Sequence, residues 1–246
     1  NSDELDNKLV ALQYLQNAID EGNTSEAVIK ALDQLAGEGL TNQSRTNGRL
    51  MNNYPDIRRR ACLALGKIKT EQSKEYLVQV TLAENEPMVI AAAVNSLGEI
   101  GFNNNDEVVD AISFANRRNQ ILNPTSSLAF EVLDAYEKLA PSTENKKIIV
   151  DSVAKIAADY HYVTPVRNKA VKLLKTISGK YDLIIANIVA DIIKELIPHI
   201  RAYLNEGGKF IISGIIKERE ENGEFKSIFD FCRRVDAKFV NKKTRH

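Results

Sequence analysis

The chain has 246 residues, 43% of them hydrophobic, and its 33 basic and 33 acidic side chains cancel to a formal net charge of zero. That balance excludes a global electrostatic drive toward nucleic acid or an anionic membrane surface. No apolar run reaches the roughly 20 residues of a membrane-spanning helix, so no membrane partner is expected.

Two helices are expected near residues 3–20 and 24–37, and they read as the N-terminal cap of a repeat array. Residues Gly39 to Asn53, rich in Asn, Thr, Ser and Gly, read as a loop. A helical phrase then begins at Pro55 with Asp56-Ile57-Arg58-Arg59-Arg60-Ala61 and closes on Leu65-Gly66-Lys67-Ile68; it returns from Pro87 to Leu97-Gly98-Glu99-Ile100. Looser copies start at Pro124 and Pro165. Proline suits the first turn of a helix, which has no intrahelical use for its missing N–H. Ile57, Ala61, Leu65 and Ile68, and likewise Val89, Ala93, Leu97 and Ile100, recur at helical spacing as one buried stripe. Gly66 and Gly98 hold the same offset from their prolines, where the lack of a side chain lets a neighbouring helix approach closely. Segments 71–85, 105–122 and 143–160 supply the partner helix of each pair. A unit recurring every few tens of residues describes stacked helical hairpins rather than a single globular core.

These phrases resemble the HEAT family of helical-hairpin repeats in its short prokaryotic form, and the likeness covers about residues 5–178. The fold class expected is mostly α: a HEAT-like α-solenoid over residues 1–179, with a small C-terminal appendage over 180–246.

After Gly179-Lys180 the pattern changes. Tyr181-Asp-Leu-Ile-Ile-Ala-Asn-Ile188 reads as a buried strand, an amphipathic helix runs to Leu204, and after Asn205-Glu-Gly-Gly208 a second strand covers 209–216. An all-helical continuation stands beside this reading, because Ile185, Val189, Ile192, Ile193, Leu196, Ile200 and Leu204 also keep helical spacing. The Ala186-Asn187-Ile188 segment, the glycine turn and Ser213-Gly-Ile-Ile216 resemble the ribosomal-protein lysine methyltransferase family that modifies the large-subunit stalk protein. The resemblance implies that Asn187 lies beside the methyl donor, S-adenosylmethionine. The family's glycine-rich donor loop, which follows its first strand, does not precede this segment. Residues 221–243, with Phe225, Ile228, Phe229 and Val235 on one face and a basic tail at Lys238, Lys242, Lys243 and Arg245, resemble a short segment of the bacterial replicative DNA polymerase alpha subunit. No catalytic carboxylate of that family is assigned here. Three unrelated resemblances describe a mosaic: an engineered chimera, a computed sequence or a recombined gene.

Few residues point to chemistry. His161, His199 and His246 lack metal-ligand spacing, and no metal is expected. Cys62 and Cys232 read as separate buried thiols, which fits a reducing cytosol and a cytoplasmic location; Asn1 in place of an initiator methionine points to removal of an upstream piece and keeps an exported mature form as the alternative. Glu84 and Glu86, and Glu218, Glu220 and Glu221, read as solvated surface rather than acid–base pairs. The function expected is a non-catalytic protein–protein scaffold, not an enzyme. Its concave face would bind an unidentified protein through Arg59, Arg60, Lys67, Lys74, Asn95 and Glu99. No cofactor is expected, with Asn187 as the one candidate for donor binding. The alternatives are a methyltransferase remnant built around Asn187 and a nucleic-acid-binding solenoid using Arg58–Arg60, Arg117, Arg118 and Arg167 with the basic tail. The second is disfavoured because Asp56, Asp106, Glu107 and Asp110 offset the arginines and interleaved aromatics are scarce.

Overall fold

Proline at the first helical turn, apolar residues at helical spacing and short polar breaks produce the hairpins seen in the computed structural model, which describes residues 2–41, 43–177, 181–187, 200 and 204–213. Two helices lead the chain, α1 (Ser2–Asp20) and α2 (Glu26–Ala36). The repeats come next as α3 (Pro55–Lys67), α4 (Glu71–Ala83), α5 (Pro87–Ile100), α6 (Glu107–Leu122), α7 (Ser126–Leu139), α8 (Lys146–Ala158) and α9 (Thr164–Ile177). Pro55 and Pro87 sit in the first turns of α3 and α5, whereas Pro124 precedes α7 by two residues. The chain divides into two units, Asn1–Ile177 and Ser178–His246.

The first unit is a stack of helical hairpins. Helix α3 packs on α5, α5 on α7 and α7 on α9, while α4 packs on α6 and α6 on α8, which gives two layers. Both expected stripes are the core: Ile57, Ala61, Leu65 and Ile68 in one repeat and Val89, Ala93, Leu97 and Ile100 in the next are all buried. Burying a side chain of leucine or isoleucine size contributes about 1.5–3 kcal/mol. The glycines act as the spacing implies. A Cβ placed on Gly66 would lie 2.4 Å from Ser96 Oγ and 2.9 Å from Ser96 Cα, and one on Gly98 would lie 2.9 Å from Ala135 Cα.

Two expectations fail in this unit. The stretch 39–53 is not all loop, because β1 (Arg45–Thr46) and β2 (Arg49–Leu50) form an antiparallel hairpin around Asn47-Gly48, whose φ angles of 50° and 78° are those of a primed turn. Nor is the polar side of the first repeat all solvated. Arg58 and Glu84 are both buried, and Arg58 Nε donates to Glu84 Oε2 at 2.6 Å. Glu84 turns inward because its Oε1 also accepts the backbone N–H groups of Asn85 and Glu86, which open the turn into α5.

In the second unit β3 (Tyr181–Asn187) pairs in parallel with β4 (Leu204–Ser213). Residues 181–187 and 204–213 are therefore strand, not a continued helix stack, as the run Leu183-Ile184-Ile185 demands when it lies opposite Lys209-Phe210-Ile211. The glycine turn expected before the second strand lies instead inside β4, as an irregularity of register around Gly207 (φ 79°). The expected crossover helix falls outside the described residues apart from Ile200, which is helical and buried. The amphipathic segment 221–236 and the basic tail also lie outside them. Among the described residues no helix is long and apolar enough to cross a membrane.

Candidate functional site

The candidate site is built on the parallel pair. From Leu183 the register runs without interruption, Ile184 opposite Phe210, Ile185 opposite Ile211 and Ala186 opposite Ile212, and it ends with Asn187 opposite Ser213. Both strands therefore finish together, and their carboxyl ends carry two short polar residues after apolar runs. In open α/β sheets ligands are held outside these carboxyl ends, where loops leave the sheet and backbone groups are free to reach a ligand. Asn187 and Ser213 thus stand side by side at the carboxyl end of the pair, the end of such sheets at which ligands are held.

The six residues expected to contact a partner are distributed differently. Arg59, Arg60 and Lys67 lie on α3 and Asn95 and Glu99 on α5, in one layer; Lys74 lies on α4, in the other. Each has a partner within the unit. Arg59 and Arg60 both meet Asp56, at 3.0 and 2.9 Å, and Lys67 meets Asp20 at 2.8 Å. Asn95 donates to Glu131 at 2.8 Å, and Glu99 pairs with Lys138. Lys74 is buried and pairs with Glu71 at 2.6 Å and with Glu107. Burial alone would lower the Lys74 pKa, but its hydrogen bonds to Glu107 and Glu71 outweigh that and raise it. Lys138 in turn holds the Glu99 carboxyl below its ordinary value. Of the arginines considered for nucleic acid, Arg58, Arg118 and Arg167 are engaged as well. Arg58 is buried, Arg118 donates to the carbonyls of Thr81, Leu82 and Glu84 at the end of α4, and Arg167 Nε donates to Ala157 O.

His161 Nδ1 lies 2.7 Å from Asp159 Oδ1 on an exposed turn, while His199 and His246 fall outside the described residues. Among the described residues no three His, Cys, Asp or Glu side chains gather as a metal would need. Cys62 is buried, and desolvation pushes its thiol up to about 12. Burial thus disfavours the thiolate, which is the reactive form, and also keeps reagents away from the sulfur. Iodoacetamide at pH 8 should therefore leave Cys62 unmodified in the native chain and alkylate it fully in 6 M guanidinium. Peptide mapping separates it from Cys232, and prompt native labelling of Cys62 would contradict its burial.

Comparison with known proteins divides the chain earlier than the structure does, between residues 114 and 123 rather than after Ile177. HEAT repeats match residues 49–114, which contain α3–α5 and half of α6. The family described as ribosomal protein L11 methyltransferase (PrmA) matches residues 123–231, which take in the parallel pair and reach into the segment that resembles the polymerase subunit. Relatives that carry the name "Ribosomal protein L11 methyltransferase" include proteins of three genera. The protein of Lactobacillus helveticus is 52% identical over 50 residues, covering 20% of this chain and 16% of its own. That of Staphylococcus aureus is 57% identical over 49 residues, with coverage of 20% and 16%. That of Caldanaerobacter subterraneus is 38% identical over 94 residues, covering 30% of each. The chain thus spans less than a third of the length of these relatives. No solved structure is matched. The sequence is a mosaic of a region similar to HEAT repeats and a segment similar to that methyltransferase family.

These matches correct two expectations, the non-catalytic scaffold and the chain that is not an enzyme. The methyltransferase match over 123–231 and the relatives' names favour catalysis instead. The sequence singles out Asn187 and lacks the donor loop before it. That observation stands in the structure. Residues 126–139, 146–158 and 164–177, inside the matched span, are helices α7–α9, and no glycine occurs between Gly101 and Gly179. Among the described residues no glycine-rich turn follows a strand as a cradle for the methionine end of S-adenosylmethionine, so these residues alone do not fit that donor.

Proposed function

We propose that the chain carries the methyl-transfer edge of an S-adenosylmethionine-dependent protein methyltransferase whose substrate class is a ribosomal protein of the L11 kind. The observation that carries this reading is the position of Asn187, which closes β3 at the carboxyl end of the parallel pair. The methyltransferase match over 123–231 and the names of the relatives support it. On this reading Asn187 positions the reacting groups, and the chain acts in the cytoplasm beside its substrate.

The test is transfer of a radiolabelled methyl group from S-adenosylmethionine to purified ribosomal protein L11. It is measured with the chain alone and with the chain mixed with the Caldanaerobacter relative lacking the segment that matches 181–213. Asn187→Ala should lower the transfer by about 10²-fold, the usual loss when one preorganised polar group is removed from a reacting centre. Equal labelling by the variant, or no labelling under either condition, would sink the reading.

A further inference from the structure

The tip of the β1–β2 hairpin carries a pair of residues that neither the helical stack nor the parallel pair uses. Asn47 and Gly48 stand exposed between Arg45–Thr46 and Arg49–Leu50, with φ angles of 50° and 78°. The amide carbon of an asparagine side chain can close a five-membered ring with the backbone nitrogen of the next residue. A glycine presents that nitrogen with no side chain in the way and with a freely turning backbone. Asparagine precedes glycine at 47–48 and at 222–223, and the second pair lies outside the described residues.

Three observations set Asn47 apart. Among the described residues no hydrogen bond holds its side-chain amide, whereas Asn52, Asn103, Asn116 and Asn119 are buried and donate from theirs. A Cβ placed on Gly48 would meet nothing within 4 Å, so open space surrounds the turn. Strands of only two residues close it, Arg45 opposite Leu50 and Thr46 opposite Arg49, with Arg45 Nη1 donating to Gly48 O at 3.1 Å on the surface. A two-stranded hairpin is marginal by itself, so opening the tip costs little and lets the Gly48 nitrogen turn toward the Asn47 side chain. The base is tied down: Met51 N–H donates to Ser44 O at 2.8 Å, and the buried Asn52 accepts the Ser44 N–H at 2.9 Å.

We propose that Asn47 is a site of spontaneous modification, at which the Gly48 backbone nitrogen displaces the side-chain amide. The nitrogen gives its proton to water and its electron pair bonds to Asn47 Cγ; the Cγ–Nδ2 bond breaks, and Nδ2 takes a proton from water and leaves as ammonia. Water then opens the cyclic imide. Attack at Cγ restores the ordinary main chain with an aspartate at position 47, and attack at the backbone carbonyl carbon routes the main chain through Cγ. No oxidation or reduction is involved. Either product places a carboxylate between Arg45 and Arg49 and takes the formal net charge from zero to minus one. The rerouted form also inserts a methylene between Thr46 and Arg49, which breaks their pairing. This inference is independent of the methyl-transfer reading.

The full chain is kept at 37 °C and pH 8, folded and in 6 M guanidinium, and its peptides are mapped by mass over several weeks. Asn105 is the matched control, because it is exposed and has the same φ of 50° but precedes Asp106. In the folded chain Asn47 should exchange its amide for a carboxyl about tenfold or more faster than Asn105, and should yield two products of equal mass that separate by chromatography. The folded rate should lie within about tenfold of the rate in guanidinium, since the tip opens readily. Gly48→Ala should slow the loss about tenfold, although alanine disfavours the positive φ and loosens the tip. Asn47 that stays intact in the folded chain and is lost in guanidinium overturns the inference, because the turn then protects it. Loss at the rate of Asn105 overturns it as well, as does a single aspartyl product, which is hydrolysis by water without the ring. Faster loss in Gly48→Ala has the same consequence, since looseness and not the glycine nitrogen would then set the rate.

Discussion

Arg58→Met should destabilise the helical unit by about 3–5 kcal/mol, because removing one member of a buried ion pair leaves the other charge unpaired away from water. The side chains of Arg58 and Glu84 are each 2% exposed. Arg58 joins three segments: Nε donates to Glu84 Oε2 at 2.6 Å, and Nη1 donates to Glu38 O at 3.0 Å and to Asn53 Oδ1 at 2.9 Å. It therefore fastens α3 to the loop after α2 and to the turn that opens α5. Urea unfolding monitored at 222 nm measures the loss. The double variant Arg58→Met, Glu84→Leu separates charge from packing. It should recover much of the stability, with a residual cost of about 1 kcal/mol for each of the Asn85 and Glu86 N–H groups that lose their acceptor. A single variant that loses less than about 1 kcal/mol would mean that water reaches the pair, since exposed pairs are worth about that much or less.

That pair also marks where sequence reasoning ran out. Periodicity identified the core stripes of α3 and α5, because a helix shows its buried face as a spacing of three and four. Arg58 stands three, four and seven positions before Ala61, Cys62 and Leu65, at the edge of that same face, and only its charge sets it apart from the stripe. No spacing signals that Glu84, 26 residues later, turns back to meet it. The hairpin at 45–50 was legible in principle, since Asn47-Gly48 is a strong short-range turn signal, but its two-residue strands are too short for alternation to show. The partner candidates are polar and charged residues expected on the concave, inner-helix surface of the repeats. Whether such a charge is available depends on the adjacent repeat: Glu131 and Lys138 on α7 take up Asn95 and Glu99, and Glu107 on α6 takes up Lys74. At the parallel pair the strands and the place of Asn187 were readable from the apolar run and the family resemblance. The irregularity around Gly207 was not, because a glycine pair reads equally well as the turn before a strand and as a break within one.

Gly66→Val should cost the helical unit about 3 kcal/mol, and even Gly66→Ala should destabilise it, although alanine is favoured over glycine in a helix by about 1 kcal/mol. The sign is decided at the contact of α3 with α5. A Cβ at position 66 would stand 2.4 Å from Ser96 Oγ, 2.5 Å from Ser96 Cβ and 2.9 Å from Ser96 Cα. Rotating the serine hydroxyl away relieves only the first of these. The last is backbone, so the two helices must separate, and the separation loosens buried contacts along both stripes. Ser96→Gly in the Gly66→Ala background removes the first two clashes and should restore part of the loss. It also removes the hydrogen bond from Ser96 Oγ to Cys62 O at 2.9 Å, so restoration should be incomplete. Thermal and urea unfolding of the four variants in this cycle yield the coupling directly. The next contact repeats the logic with a smaller neighbour: a Cβ on Gly98 would lie 2.9 Å from Ala135 Cα and 3.2 Å from its Cβ. Ala135 holds the same offset from Pro124 that the two glycines hold from their own prolines, so the repeat keeps a small residue there where the motif has lost its glycine. If Gly66→Ala and Gly98→Ala both stabilised the chain, propensity would outweigh packing, and the close stacking of α3, α5 and α7 would not be what the glycine spacing preserves.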